Sequence, residues 1–227
     1  MMQGYGAAFA RVYNLLGADF ARNSAPRIFD FYTRNEIAPA QQSLLDLCCG
    51  TGQLALYFLE RGYRVTGLDL SDAMLDHARE NASMFVQAGQ AHFVQADASA
   101  FTLDERFGLV VSTYDALNHL ASLDALQSCF ASAYAVTQEG GTLIFDLNTR
   151  LGLKRWNGIT VQETDDALLI SRGIYDGGAK AYTHVNGFVR DDDGRYTRFE
   201  ETVYNTVFDL ALVHALLLEV GWEDIYF

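Results

Sequence analysis

The chain has 227 residues, of which 50% are hydrophobic and only 2 are proline, so it can bury a sizeable core and is too apolar to be disordered. Its 29 acidic residues outnumber 16 basic ones, for a net charge of -13, and no basic cluster interrupts this excess. The sign opposes a phosphate backbone or an anionic membrane surface, so neither a nucleic acid nor a membrane is predicted as a partner, whereas small cationic ligands are favoured.

The first 150 residues alternate between predicted helices and short buried strands. An apolar stripe at helical spacing over 28–32 predicts one or two helices ahead of the main body. Short apolar runs predict strands at five places: 43–49, 64–70, 92–96, 107–113 and 142–146. Helices are predicted between them over 53–60, 72–81 and 123–136. Ser71 is the predicted N-cap of the second of these helices, and Gly140 with Gly141 is the predicted stop of the third.

The rest of the chain has a different pattern. Segments rich in Val, Thr, Tyr and Ile run over 156–208 and are separated by turn signals at 176–178 and 191–194, which predicts a small antiparallel meander. A helix over 210–220 and a closing strand over 222–227 are predicted to follow.

Together these elements predict an α/β fold with a doubly wound, mostly parallel, Rossmann-like sheet and an antiparallel β insertion near the C-terminus. Three parts are predicted along the chain: an N-terminal helical cap (1–40), a Rossmann-like core (41–150 and 208–227) and an antiparallel substrate-side insertion (151–207). Sheets of this kind bind ligands at the carboxyl ends of their strands, so the residues at those ends are the first candidates for a functional site.

Three carboxylates lie at successive predicted strand ends, namely Asp46, Asp69 and Asp97. Gly50 and Gly52 form a tight turn where a ligand can approach the backbone at a positively polarised helix start. The same turn fits a nicotinamide dinucleotide fingerprint, which leaves an NAD(P)-dependent oxidoreductase as an alternative. A carboxylate at Asp46, however, would repel a pyrophosphate and attract an amino group. The three acids therefore favour a ligand with an ammonium, a ribose and an adenine but no phosphate.

Two longer motifs extend this interpretation. The chain resembles class I S-adenosylmethionine-dependent methyltransferases in Leu44-Leu-Asp-Leu-Cys-Cys-Gly-Thr-Gly52 and Val65-Thr-Gly-Leu-Asp-Leu-Ser-Asp-Ala-Met-Leu75. It is similar to their small-molecule N-methyltransferase branch in Gly140-Gly-Thr-Leu-Ile-Phe-Asp-Leu-Asn148 and Arg198-Phe-Glu-Glu201. The resemblance spans nearly the whole chain. It implies S-adenosyl-L-methionine as the cofactor, S-adenosyl-L-homocysteine as its product, and a small-molecule methyl acceptor, either an amine or a hydroxyl.

The resemblance also implies roles for individual residues. The implied cofactor contacts are Asp46, Cys48, Gly50 and Gly52 for the methionyl part, Asp69 for the ribose hydroxyls, Leu70 and Met74 around the adenine, and Asp97 with Ala98 at the adenine edge. Cys48 departs from the family pattern, since many relatives have glycine there. Tyr13 matches a tyrosine that, in similar enzymes, closes over the cofactor or meets the substrate, and Asn14 replaces the usual aspartate after it.

His119 is the candidate base for the reaction. Methyl transfer needs positioning and exclusion of water, and a protonated amine or a hydroxyl acceptor also has to lose a proton. His119 follows the fourth predicted strand and titrates near neutrality, so it and Tyr13 are the candidate catalytic residues. Each candidate also has a structural alternative: a plain turn for Gly50 and Gly52, a helix cap for Asp69, surface acids for Asp46 and Asp97, and packing for Met74, Tyr13 and His119.

The cysteines Cys48, Cys49 and Cys129 offer neither a disulfide framework nor a metal-ligand spacing, so small buried side chains and no metal site are predicted. The chain shows no secretion signal and no apolar run of about 18 residues, which predicts a cytoplasmic protein.

The insertion is the predicted source of the acceptor pocket. Five of its side chains are candidates to face the acceptor: Arg172, Tyr182, His184, Arg198 and Glu200. A non-catalytic S-adenosylmethionine-binding protein is a second alternative, although the insertion is larger than a cofactor sensor requires. The acceptor, the atom that is methylated and the oligomeric state stay open at this point.

Overall fold

The computed structural model describes residues 5–227 of the chain. Five strands form the central sheet: β1 (Ser43–Leu47), β2 (Arg64–Asp69), β3 (Ala91–Gln95), β4 (Phe107–Ser112) and β5 (Thr137–Phe145). All five are parallel and lie in the order β3-β2-β1-β4-β5. The strand order reverses beside β1, and open α/β sheets bind their ligands at such a reversal.

In the described part of the chain, eight helices precede these strands, connect them or follow them. They are α1 (Ala7–Leu16), α2 (Ala18–Tyr32), α3 (Gln53–Leu59), α4 (Asp72–Asn81), α5 (Ser83–Gln87), α6 (Leu123–Ala135), α7 (Arg150–Leu153) and α8 (Leu210–Val220). A 3-10 turn covers Ala116–His119. Ser71 is the N-cap of α4, as predicted, and its hydroxyl accepts a hydrogen bond from the backbone N–H of Met74 at 3.3 Å.

Hydrophobic cores cover both faces of the central sheet. Successive side chains of a strand point to opposite faces, so Leu45 packs with Phe130 of α6 and Leu217 of α8, whereas Leu44 packs with Phe58 of α3 on the other face. The doubly wound arrangement predicted from the alternating pattern is therefore confirmed.

A second sheet stands apart from the first. Its strands are β6 (Gly158–Glu163), β7 (Ala167–Ile174), β8 (Lys180–Arg190) and β9 (Tyr196–Thr206). They are antiparallel and lie in the order β6-β7-β8-β9, which confirms the predicted antiparallel insertion. Helix α1 packs on one face of this sheet, where Phe9 and Val12 join Val185 and Phe199 in a buried cluster. The N-terminal helix is thus held between the second sheet and the core.

The prediction that Gly140 and Gly141 stop a helix is wrong. Helix α6 already ends at Ala135, and both glycines lie inside strand β5. Between Phe107 and Leu109 of β4 the pairing with β5 shifts register, and Gly140 has a φ of 73° at this irregularity. Glycine at a positive φ suits a β-bulge as well as a helix end, so the residue type alone does not distinguish the two.

The predicted closing strand over 222–227 is also wrong, since these residues belong to neither sheet. Gly221 and Asp224 both have a positive φ, which turns the chain back onto the helices. There the indole N–H of Trp222 donates to the carbonyl of Phe130 at 3.3 Å, and its ring meets the ring of Tyr134 at 5.2 Å. Trp222 and Ile225 pack against the core that α6 and α8 form, whereas Tyr226 and Phe227 are exposed.

Candidate active site

A cavity of about 920 Å³ lies at the carboxyl ends of the parallel strands, enclosed by α1 and by the second sheet. The predicted site residues that line it are Tyr13, Cys48, Gly50, Asp69, Leu70, Met74, Asp97, Ala98 and His119. Two others do not line it: Asp46 lies beneath the loop after β1, and Gly52 is the last residue of that loop. The structure therefore brings together residues from loops after four different strands, as expected for a doubly wound sheet.

Asp69 organises the loop after β1. One of its carboxylate oxygens accepts the backbone N–H of Gly50 at 2.8 Å, and the other accepts the backbone N–H of Ser71 at 2.9 Å. Burial raises the pKa of Asp69, while these backbone hydrogen bonds lower it. Because the Gly50 N–H already has a carboxylate partner, the loop does not present that donor to a phosphate.

Asp46 lies beneath the loop and is only 2% exposed. It accepts a hydrogen bond from the backbone N–H of Ala55, one of the first-turn donors of α3 that the N-cap Gly52 cannot satisfy with a side chain. Its Oδ2 has no hydrogen-bond partner. Burial, reinforced by the charge of Asp69, raises the pKa of Asp46 to about 7. A buried carboxylate with one unsatisfied oxygen favours a nearby cation.

Three residues of the loop have left-handed backbones, namely Cys48, Gly50 and Gly52. Gly52 has a φ of 76°, and a Cβ there would lie 3.1 Å from the Cβ of Ala78 on α4, so this glycine is required by the turn and by the helix packing. Cys48 has a φ of 61°, a conformation that favours glycine. Cys48 nevertheless adopts this conformation, with its side chain packed against the buried core.

The remaining predicted cofactor contacts occupy the rim at β2 and β3. Asp97 accepts hydrogen bonds from the backbone N–H and the hydroxyl of Ser99, at 2.8 and 2.7 Å, and Ala98 beside it is buried. Met74 is 1% exposed and packs with Phe9 of α1, so it contributes to the core as well as to the cavity wall. Met74 therefore has a packing role in the core, and its contact with the adenine stays a prediction.

His119 has its tautomer set by its surroundings. Its Nδ1 lies 2.8 Å from the carbonyl oxygen of Tyr204 on β9, and a carbonyl can only accept, so Nδ1 carries the proton. The Nε2 of the neutral ring then keeps its lone pair and accepts a hydrogen bond from the hydroxyl of Tyr5 at 3.4 Å. Burial lowers the pKa of His119 from its ordinary value, which keeps the ring neutral near pH 7. The side chain is thus prepared to accept a proton at Nε2.

Tyr13 lies on the side of the cavity formed by α1. Its ring contacts the loop at Gly50, where the nearest ring carbon is 3.4 Å from the position of a Cβ. Burial raises the pKa of the Tyr13 hydroxyl well above its usual range, so it stays protonated. Helix α1 is anchored at its start because the hydroxyl of Ser71 donates to the carbonyl of Tyr5 at 2.8 Å and the N–H of Gly6 donates to Glu201 at 2.8 Å. The position of Tyr13 therefore depends on helix α1.

The sequence interpretation gave no role to Tyr5, Tyr114 or Asp115, which all line the cavity. Tyr114 and Asp115 lie in the short connection between β4 and the 3-10 turn. Both have a positive φ, of 67° and 50°. A signal for Asp115 was available, since it is an acid at a predicted strand end. Tyr5 carried no such signal, because it comes from a segment that only the fold brings to the cavity.

The five insertion side chains expected to face the acceptor do not line the cavity. Their cavity-lining neighbours are Ser171, Gly173, Thr183, Val185 and Val203. Side chains of a strand alternate between its two faces, so Arg172 and His184 lie on the face away from the cavity. On that face His184 contacts Glu200 at 3.3 Å, and Arg198 also pairs with Glu200. The sequence left the face of each candidate open, and none of the five lines the cavity.

Comparisons with known proteins find similar sequences among methyltransferases. Residues 44–141 match the family described as "Methyltransferase domain". The chain is 27% identical to YqeM of Bacillus subtilis (strain 168), whose name assigns it to the methyltransferases, over 95% of this chain and 85% of that protein. It is 30% identical to the dTDP-3-amino-3,4,6-trideoxy-alpha-D-glucopyranose N,N-dimethyltransferase of Streptomyces venezuelae, over 63% of this chain and 57% of that protein.

A solved structure shares the fold. The S-adenosylmethionine-dependent methyltransferase from Clostridium acetobutylicum ATCC 824 superposes with a TM-score of 0.77 at 24% identity, covering 93% of this chain and 85% of that one. The fold of this chain is therefore the one seen in that S-adenosylmethionine-dependent methyltransferase. Residues 44–141 form a methyltransferase domain, and S-adenosyl-L-methionine is its cofactor.

The cavity suits this cofactor on its own chemistry. Its lining includes the carboxylates Asp69, Asp97 and Asp115 against a single arginine, Arg155. A ligand that carries a sulfonium and an ammonium is attracted by this charge, as it is by the unsatisfied oxygen of Asp46. Among residues 5–227, no group of three or more His, Cys, Asp or Glu side chains is arranged to hold a metal ion, and no helix is long and apolar enough to cross a membrane.

Cofactor affinity is expected to depend on pH through Asp46. This acid has its pKa raised to about 7, so it is protonated below that pH in the free protein, and a bound cation favours its ionised form. Binding then releases a proton, and the affinity for S-adenosylmethionine is expected to rise about tenfold between about pH 5.8 and about pH 7.2 for each proton released. Calorimetry in buffers of different ionisation enthalpy measures both quantities.

The matched control for this prediction is Asp46→Asn. The amide keeps an oxygen for the N–H of Ala55 but does not titrate. The variant is therefore expected to release one proton fewer on binding and to lose the tenfold rise in cofactor affinity that this proton causes. An affinity that is independent of pH in the wild-type protein would contradict the argument.

Proposed function

We propose that the protein transfers the methyl group of S-adenosylmethionine to a small-molecule acceptor, an amine or a hydroxyl compound, bound in the same cavity. The observation that carries this proposal is the neutral His119 ring, whose Nε2 lone pair faces the tyrosine-lined end of the cavity. A relative whose name includes an N,N-dimethyltransferase activity on a dTDP-amino sugar supports an acceptor of this size. The predicted absence of nucleic acid and membrane partners and the cytoplasmic location stay predictions.

The cofactor would be held by the first three strand ends. In this proposal Asp69 accepts hydrogen bonds from the ribose hydroxyls, Leu70 and Met74 flank the adenine, and Asp97 with Ala98 contacts its edge. The methionyl part would lie against the backbone of Cys48 and Gly50, with Asp46 and Gly52 shaping the loop from behind. Each assignment is supported by the position of the residue on the cavity wall or directly beneath the loop.

The insertion would form the acceptor pocket. The β6, β7 and β8 side chains that line the cavity include Thr160, Gln162, Ser171 and Thr183, together with Leu169 and Val185. Hydroxyl and amide groups beside apolar ones suit a small polar molecule rather than a long hydrocarbon. We propose on this basis that residues 151–207 select the acceptor.

The chemistry requires little beyond positioning and one proton acceptor. When bound, S-adenosylmethionine supplies an electrophilic methyl group on a sulfonium sulfur. His119 accepts the acceptor's proton at Nε2, and its Nδ1–H stays on the carbonyl of Tyr204 throughout. Tyr5 and Tyr13 close the cavity against water and keep the reacting groups together.

The proposal is tested by incubating the protein with deuterated-methyl S-adenosylmethionine and a panel of small amines and hydroxy compounds. Mass spectrometry is expected to find a product heavier by one labelled methyl group, together with S-adenosylhomocysteine in equal amount. The control is Asp69→Asn, which should form neither. Release of S-adenosylhomocysteine without a methylated product, or no turnover with any member of a broad panel, would count against the proposed acceptor class.

A further inference from the structure

Asp115 occupies a turn that is built to hold its side chain in one place. It follows β4 with a φ of 50°, directly after Tyr114 at 67°. The backbone N–H groups of both residues donate to the carboxylate of Asp146 after β5, at 3.1 Å for Tyr114 and 2.8 Å for Asp115. A non-glycine pair in this conformation is costly, and the Asp146 carboxylate stabilises it.

The carboxylate of Asp115 lines the cavity and has only neutral amide partners. The Nδ2 of Asn205 on β9 donates to it at 2.8 Å, and the side chain of Asn148 is a second donor. Within residues 5–227, no lysine, arginine or histidine forms an ion pair with Asp115. A partly buried carboxylate without a counter-ion is unfavourable, and a cationic ligand would relieve this cost.

Asp115 lies on the half of the cavity that the proposed cofactor position leaves free. The cofactor would occupy the ends of β1, β2 and β3, and β4 lies on the other side of β1 in the sheet. His119 belongs to the same 3-10 turn that Asp115 caps, so the carboxylate and the imidazole enter the cavity from one short segment. The cation that suits Asp115 is therefore the acceptor rather than the cofactor.

We infer that Asp115 binds the ammonium group of an amine acceptor and positions it beside His119, with Asn205 fixing the orientation of the carboxylate. This inference rests on the proposed function and narrows its acceptor to cationic amines over hydroxyl compounds. Burial and the charge of Asp146 raise the pKa of Asp115 to about 7, and a bound ammonium would keep the carboxylate ionised.

The test uses two probes of equal shape, cyclohexylammonium and cyclohexanol, added to the protein saturated with S-adenosylhomocysteine at pH 7.5. Calorimetry or ligand-observed NMR is expected to show that the wild-type protein binds the ammonium at least about tenfold more tightly than the alcohol. Asp115→Asn is expected to remove this preference and leave the weak affinity for the alcohol unchanged. Asp124→Asn, an exposed acid at the start of α6, is the matched control and should keep the preference.

Several outcomes would overturn the inference. One is equal affinity of the two probes for the wild-type protein, or no binding of the ammonium at all. This comparison uses only the wild-type protein, so it does not depend on whether a variant folds. Another is a loss of affinity for S-adenosylmethionine, but not for S-adenosylhomocysteine, in Asp115→Asn, because the carboxylate would then serve the cofactor's sulfonium. Failure of the wild-type protein to bind S-adenosylhomocysteine would instead contradict the proposed function. In that case, the affinities of the two probes measured in the absence of S-adenosylhomocysteine would still decide the role of Asp115.

Discussion

Asp69→Asn is expected to lower the affinity for S-adenosylmethionine by at least about 100-fold, equivalent to about 3 kcal/mol. The wild-type carboxylate offers one oxygen to the N–H of Gly50 and the other to the N–H of Ser71. An asparagine has only one oxygen, so its amide nitrogen would face one of these two backbone donors. The loop would lose its geometry, and the ribose hydroxyls would lose a charged acceptor. Asp69→Ala removes both acceptors and is expected to abolish binding.

Titration calorimetry measures this effect, and circular dichroism verifies that the variants keep their secondary structure. Asp72→Asn is a suitable control, since Asp72 is exposed in the first turn of the neighbouring helix α4 and does not line the cavity. Cofactor affinity is expected to stay within about twofold of wild type in that control. An unchanged affinity in Asp69→Asn would show that the carboxylate is only a structural cap for the turn.

His119→Ala is expected to reduce turnover about 100-fold to 1000-fold while cofactor affinity stays near normal. The side chain comes from the turn after β4, away from the proposed cofactor position at β1 to β3, and its Nε2 is the proton acceptor in the proposed reaction. Because burial lowers the pKa of His119, the wild-type enzyme should keep its activity to below pH 6.5 and then lose it as Nε2 is protonated. The variant should lack this acidic limb.

Initial rates at saturating cofactor across pH measure both effects, and added imidazole is expected to restore part of the activity. His92→Ala, an exposed histidine on β3, is the matched control and should behave as wild type. A wild-type rate in His119→Ala would remove this residue from the mechanism. A loss of cofactor affinity equal to the loss of rate would show that His119 supports the fold rather than the proton transfer.

The parallel core was predictable because its pattern is local. Short apolar runs, each followed by an acid or a glycine turn, placed Asp69 and Asp97 at strand ends, and the structure puts both on one cavity wall. Asp46 was predicted at the same edge, yet it is buried under the loop, since a strand end does not reveal whether a side chain points toward the ligand or into the sheet.

The acceptor side was predicted less well, for three physical reasons. Strand alternation separates two faces but does not say which one is covered, so the sequence could not decide whether Arg172 and the other insertion candidates face the cavity. Glycine at a positive φ occurs in both helix ends and bulges, which misplaced Gly140. Tyr5 reaches the cavity only because α1 folds across it, a contact between segments far apart in the chain.

The most direct measurement is a crystal structure of the protein grown with S-adenosylmethionine. Density for an adenosyl group is expected at the ends of β1, β2 and β3, with the ribose hydroxyls within hydrogen-bond distance of Asp69 and the adenine between Leu70 and Met74. The end of the cavity beside Asp115 and His119 should stay open to an acceptor. Density for the nucleoside beside β4 and β5 would contradict this account, if Asp69 then accepted only the backbone N–H groups of Gly50 and Ser71.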